Sequence, residues 1–194
     1  MSRAVLSVLI LLVLVGLFGA AVPAAVPASA RQTKPAAAAA PILVLETVKG
    51  TIEISFFPAE APKSVEHIVA LVRNSNSIYR GQRFHRVEPS LVQFGDPRSR
   101  DMTLKAYWGT SGSGKAINAF EVSKKRQHVR GTVGLGHAGN PMAADSQLYI
   151  MKRASPSLDG KYAIIGQVTA GMAVVDKIEV ADSIKNAYLK GEKK

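Results

Sequence analysis

No cysteine occurs in the 194 residues, which excludes disulfides, thiol catalysis and thiolate metal sites. Aromatic side chains make up only 6% of the chain, with one tryptophan. They do not interleave with the basic residues as a stacking platform for nucleic acid requires. Acid is scarce against base: 14 Asp and Glu face 25 Lys and Arg, a net charge of +11. The basic residues are scattered, densest at Lys124-Lys125-Arg126 and over residues 190–194. The charge therefore reads as a solvated surface, and no nucleic-acid partner is expected. The four histidines (His67, His85, His128 and His137) show no ligand spacing, so no metal is expected. Residues 109–115 fit G-x-x-x-x-G-K, but Ala116 replaces the Ser or Thr that a phosphate-binding loop needs, and no helix pattern follows.

Only the N-terminus carries a long apolar run. After Met1-Ser2-Arg3, residues 4–22 are almost wholly apolar, followed by Pro23, Pro27 and the small-x-small sequence Ala28-Ser29-Ala30. The run is slightly shorter than the roughly 20 residues of a membrane span. Residues 1–30 are therefore read as a cleaved secretory signal peptide, leaving no stable membrane span and an exported, periplasmic or secreted protein. The absence of cysteine fits an oxidising compartment. Residues 31–41, rich in Ala and Pro, read as a tether, and residues 42–194 as the folded domain.

Within that domain, alternating apolar residues predict a hairpin from strands at 42–47 and 51–57. Pro62 opens a helix whose Val65, Ile68, Val69 and Val72 share one face. Further short strands are expected at 83–87, 91–95, 117–122, 131–135, 147–151 and 163–168, and a second helix at 171–178. Residues 184–189 could close the sheet as a last strand, though this segment is ambiguous. Eight short strands and two helices with glycine-marked turns predict a mainly β protein, a closed eight-stranded antiparallel barrel capped by two α-helices.

The run Phe84-His85-Arg86-Val87-Glu88-Pro89 resembles the signature of the cyclophilins, peptidyl-prolyl cis-trans isomerases. Other blocks follow in the family's order. They are Trp108-Gly109-Thr110-Ser111-Gly112-Ser113-Gly114-Lys115, Gly134-Leu135-Gly136-His137-Ala138, Ser146-Gln147-Leu148-Tyr149-Ile150 and Leu158-Asp159-Gly160-Lys161-Tyr162. The resemblance covers residues 42–178 and implies action on X-Pro bonds of unfolded or flexible polypeptide clients, without a cofactor, by a protein expected to be monomeric.

Rotation about a peptide bond crosses a barrier of ~18–20 kcal/mol because resonance stiffens it. The twisted state has lost that resonance, and its prolyl nitrogen regains a lone pair. A guanidinium that donates to this nitrogen binds the twisted state better than either planar one, with no covalent step. The resemblance gives that role to Arg86. It gives substrate binding to Phe84 and Gln93, an apolar cup for the proline ring to Leu91, Val92, Tyr149 and Leu158, and main-chain alignment of the peptide to Gly136 and His137. Tyr162 falls where many members carry a histidine beside that cup. The stretch between Pro89 and Gln93 is one residue shorter than usual, so Ser90 and Leu91 compete for the family's phenylalanine position. From residue types alone, Arg86 reads as a surface strand arginine paired with an acid such as Glu88, and His85 is expected to turn away from Arg86 as a hydrogen-bonded core histidine. The alternative function is a non-catalytic proline-peptide-binding chaperone or scaffold.

Overall fold

The computed structural model describes residues 40–74 and 77–192. The expected signal peptide and nearly all of the expected tether lie outside these residues. Among them, no helix is long and apolar enough to cross a membrane.

The first hairpin pairs β1 (Ile42–Thr47) with β2 (Gly50–Phe56). Leu43 and Leu45 on β1, and Ile52, Ile54 and Phe56 on β2, alternate into the core, as the two-residue period of a strand requires. Helix α1 (Pro62–Arg73) begins on its proline and buries the predicted face, Val65, Ile68, Val69 and Val72. Ala61 before it has no side chain that can cap. The Glu121 carboxylate supplies the cap instead, accepting from the Lys63 N–H (3.1 Å) and the Ser64 N–H (2.8 Å).

The chain continues through β3 (Arg86–Val87), β4 (Leu91–Phe94), β5 (Thr132–Leu135), β6 (Leu148–Met151), β7 (Ile164–Ala170), α2 (Met172–Asp176) and β8 (Ile184–Leu189). All pairings are antiparallel, in the order β3-β4-β6-β5-β7-β2-β1-β8. The main core fills the inner face of this curved sheet and joins α1 to Phe84, Val92, Phe94, Leu148 and Ile150.

Two expectations are corrected and one ambiguity is resolved. The sheet is open, a half-barrel and not a closed barrel: no ladder joins β3 to β8. Both residues of β3 pair with β4, and the seam toward β8 holds an isolated bridge, Arg83 to Ser183, with bonds such as Phe84 N–H to the Asp182 carbonyl (3.0 Å). Residues 117–122 form no strand. Ile117 and Asn118 bond to the loop carbonyls of Ala144 and Met142, and Asn118 takes φ +55°, which a strand does not continue. The ambiguous segment at 184–189 supplies the eighth strand, pairing with β1.

Gly95, which follows β4, has φ +111°, and a Cβ there would strike the Ser146 carbonyl oxygen and lie 2.6 Å from the Gln147 Cα. A side chain must therefore bear left-handed strain and push apart the segments that carry Gln93 and Gln147. Gly95→Ala is expected to lower stability by about 2–5 kcal/mol in urea unfolding, the sum of strain and overpacking. A change under about 0.5 kcal/mol, ordinary for a surface site, would contradict this packing.

Candidate functional site

Across the sheet, Arg86 of β3 lies directly opposite Gln93 of β4, Gln93 opposite Tyr149 of β6, and Tyr149 opposite Gly134 of β5. Directly opposed residues of antiparallel strands project to the same side. One row of side chains thus crosses four strands on the outer face. Leu91 and Met151, two residues along from Gln93 and Tyr149, share that face and oppose each other.

The missing residue before Gln93 is absorbed in the turn, where the Glu88 N–H donates to the Leu91 carbonyl (2.8 Å). The Arg86–Gln93 pairing is left intact, and it is Leu91, not the half-exposed Ser90, that reaches the apolar cluster.

Arg86 is 52% exposed at its side chain and pairs with Glu88 (2.7 Å), and its Nη1 donates to Gln93 Oε1 (3.3 Å). The expected surface pair with Glu88 is therefore present, and the same guanidinium also reaches Gln93 across the strands. A solvent-exposed pair of this kind contributes at most about 1 kcal/mol, so Glu88 does not lock the guanidinium, and Arg86 keeps further N–H donors out of its five. Gln93 Nε2 donates to Gln147 Oε1 (2.7 Å), and Gln147 Nε2 donates to the carbonyls of Gly109 (2.9 Å) and Ser111 (2.8 Å). The row is thereby tied to the glycine loop. Together these residues, with Trp108, Gly136 and His137, line a groove of about 630 Å³.

Beside the row, Leu91, Tyr149 and Met151 form a cluster separate from the main core, with Leu158 and Tyr162 packed against it. Tyr162 meets the Tyr149 ring edge-on at 5.9 Å and stacks on His137 at 4.3 Å. The Tyr149 hydroxyl is buried and satisfied. Asp159 Oδ1 accepts from His128 Nδ1 (2.7 Å) and from the His128 N–H (2.7 Å), which leaves Nε2 to accept from the Tyr149 hydroxyl (2.7 Å). Burial raises the Tyr149 pKa, keeping the phenol protonated. Gly134 gives the phenol its space, since a Cβ there would strike the hydroxyl.

Two residues expected to bind substrate reach neither the groove nor the apolar cluster beside it. Val92 points into the main core because it is one residue out of phase with Gln93, and a one-residue offset changes faces. Phe84 is fully buried and packs edge-on against Phe94 at 5.3 Å. Strand alternation begins only at Arg86, so nothing forces His85 away from it. His85 lines the groove beside Arg86, with no hydrogen bond on either ring nitrogen, against the expected core histidine. Burial lowers its pKa, opposed by the Asp96 carboxylate and by nearby Gln147, so the ring is neutral at pH 7.

Gln147, Met151 and His128 were missed by sequence reasoning. Gln147 and Met151 each lie two residues from Tyr149, so strand period alone could have placed them on its face. His128 carries no such signal. The phosphate-loop lookalike is closed by its own protein. Asp145 accepts from the Ser113 hydroxyl and from the N–H groups of Gly114 (2.9 Å) and Lys115 (3.3 Å).

Residues 42–191 match the family model described as cyclophilin type peptidyl-prolyl cis-trans isomerase/CLD. A probable peptidyl-prolyl cis-trans isomerase of Brucella abortus is 37% identical over 167 residues, covering 84% of each chain. A peptidyl-prolyl cis-trans isomerase of Helicobacter pylori is 32% identical over 145 residues, covering 73% of this chain and 82% of that one. A Cryptosporidium parvum cyclophilin type isomerase superposes with a TM-score of 0.68 at 20% identity, over 79% of this chain and 99% of that chain. A Hirschia baltica cyclophilin gives 0.62 at 21% identity, over 79% and 75%. At these identities the structures speak for the fold alone.

Tyr149→Phe leaves His128 Nε2 unpaired in a buried site, and is expected to cost about 1–3 kcal/mol in urea unfolding. Unchanged stability would contradict the bonded chain. A second outcome follows from Asp159, whose carboxyl is held below the ordinary range first by the His128 side-chain hydrogen bond and then by the His128 N–H. The unfolded carboxyl takes up its proton more readily than the folded one. This contribution is therefore complete above about pH 4 and lost as pH falls through the folded value. Asp159→Asn should flatten the acid limb of a stability–pH curve, and an unaltered limb would rule the contribution out.

Proposed function

The chain belongs to the cyclophilin-type peptidyl-prolyl cis-trans isomerase family and is an isomerase of X-Pro bonds; we propose that Arg86 carries this activity. The observation behind the proposal is the direct opposition of Arg86 and Gln93, with a guanidinium nitrogen 3.3 Å from the Gln93 oxygen, at the border between a polar row and an apolar cluster. A proline ring seated against Leu91, Met151, Tyr149 and Leu158 presents its nitrogen toward that border. The Arg86 N–H groups not used by Glu88 and Gln93 then donate to the prolyl nitrogen as resonance is lost. Gln93, held by Gln147, offers its amide to the substrate backbone.

The Gly136 N–H is committed to the Gln147 carbonyl (2.8 Å), which leaves the Gly136 carbonyl and the His137 N–H to align an extended peptide. One charged hydrogen bond contributes about 1.5–3 kcal/mol; the remaining acceleration is assigned to the apolar surroundings and to anchoring of the flanking chain. The clients are X-Pro segments of unfolded or flexible polypeptides, met as a monomer after export directed by residues 1–30, on the strength of the apolar run and the Ala28-Ser29-Ala30 site.

A protease-coupled peptide isomerisation assay tests the assignment. Arg86→Ala should lower kcat/KM by roughly tenfold or more, the value of one charged hydrogen bond, while binding of a proline peptide is retained. A wild-type domain that binds such peptides without accelerating them would establish the non-catalytic chaperone or scaffold instead.

A further inference from the structure

Between β4 and the groove-lining glycine loop the chain makes an excursion that serves no core. The Asp96 carboxylate, fully buried, closes its neck: Oδ1 accepts from the Arg98 N–H (2.8 Å), and Oδ2 from the N–H groups of Gly109 (2.7 Å) and Ser111 (3.2 Å). The Arg100 guanidinium anchors one side on the Arg80 carbonyl (2.9 Å), and Trp108 Nε1 donates to the Asp101 carbonyl (3.0 Å) across the loop. Held in this frame is a 3-10 stretch, Met102–Tyr107, in which no residue is buried. Its apolar side chains face solvent, with Met102 48%, Leu104 36% and Tyr107 60% exposed.

Apolar side chains presented on a tightly tied loop, with no packing role, mark a contact surface. The chain leaving the patch supplies the continuity: Trp108 and Gly109, the next two residues, line the groove with Arg86. The position of a Gly109 Cβ lies 3.1 Å from the His85 ring. Chain steps of about 3.8 Å per residue put Tyr107 within roughly 20 Å of Arg86. An extended polypeptide covers that span in about six residues at ~3.3 Å each.

We propose that Met102, Leu104 and Tyr107 form a docking patch for apolar side chains of the client polypeptide, within about six residues of the X-Pro bond held in the groove. The inference rests on the isomerase groove of the preceding section and narrows its clients. They are unfolded chains carrying exposed aliphatic or aromatic residues near proline. Such residues are what a folding chain has not yet buried. A client docked at both points gains local concentration at the groove without any change in the chemistry there.

The test uses the domain from residue 40 onward, the wild type against Met102→Ser/Leu104→Ser/Tyr107→Ser, with Leu104→Ser and Tyr107→Ser alone as milder variants. The probes are two labelled 15-residue peptides with one central Ala-Pro, flanked at four to six residues by Leu and Phe or by Ser. Dissociation constants are read by anisotropy, so the docking result does not depend on bond rotation being accelerated. Trp108 is the only tryptophan of the chain, and its emission reports contact beside the patch. The wild type should bind the apolar-flanked peptide about tenfold more tightly, the low end for burial of one large apolar side chain, with a shift in Trp108 emission. The triple variant should lose the difference, the single variants part of it, and kcat/KM for a tetrapeptide should stay within twofold in all. Equal affinity of the wild type for both peptides overturns the patch. So does a tetrapeptide rate that falls with the variants, or a wild-type dimer that the variants dissociate while peptide affinities stay unchanged. A wild type inactive on the tetrapeptide, with the affinity difference intact, overturns the isomerase assignment and leaves the patch standing.

Discussion

A strand has two faces and no third, and the register of β3, β4, β6 and β5 decides which residues of this chain share the outer face beside the candidate groove. Arg86, Gln93, Tyr149 and Gly134 oppose one another in a row; Val87, Val92, Ile150 and Val133, each one position out of phase, pack into the domain. The same ladder therefore builds the core on one side and the groove on the other. A slip by one residue would bury a guanidinium and an amide group while exposing the β-branched core. That cost falls on the whole fold, which is why the short turn at Glu88–Leu91 takes up the missing residue and the pairing does not.

Around that row, buried polar groups hold the loops at the groove. Asp96 closes the neck of the excursion that ends at Trp108, and Gln147 ties the row to the carbonyls of Gly109 and Ser111. Asp145 pins the glycine loop to α1 through His67 (3.1 Å). Its burial alone would raise its pKa, yet hydrogen bonds from His67 and Ser113 hold it below the ordinary range, as an ionised anchor. Tyr149 follows the same logic: a hydroxyl placed in an apolar cluster is tolerable because His128 and Asp159 complete its hydrogen bond inside the protein. The groove is thus shaped by hydrogen-bonded polar side chains, with the apolar cluster of Leu91, Tyr149 and Met151 beside it.

Strand and helix periodicity made most of the scaffold legible. The first hairpin and the buried face of α1 follow from alternation and from three-to-four spacing, and the family blocks located Arg86, Gln93, Tyr149 and Leu158. What stayed hidden depended on contacts far apart in sequence. Residues 117–122 alternate like a strand, but the Asn118 backbone and its bonds to the 141–144 loop forbid one. Phe84 and His85 exchanged their expected surroundings because alternation starts only at Arg86. Closure of the barrel failed because the segment facing β8 makes only the isolated Arg83–Ser183 bridge, a pairing between segments a hundred residues apart. The His128 relay has no local pattern: its partners lie 21 and 31 residues away.

The central claim is that Arg86 and Gln93 act on one substrate as a unit because the ladder sets them face to face. A double-mutant cycle on kcat/KM with a tetrapeptide, using Arg86→Ala, Gln93→Ala and both together, tests it most directly. If they act as a unit, the double variant is slower than Arg86→Ala by less than about threefold, a coupling of the size expected for groups in contact. Fully additive losses would contradict the account and leave the arginine working without its partner across the strands.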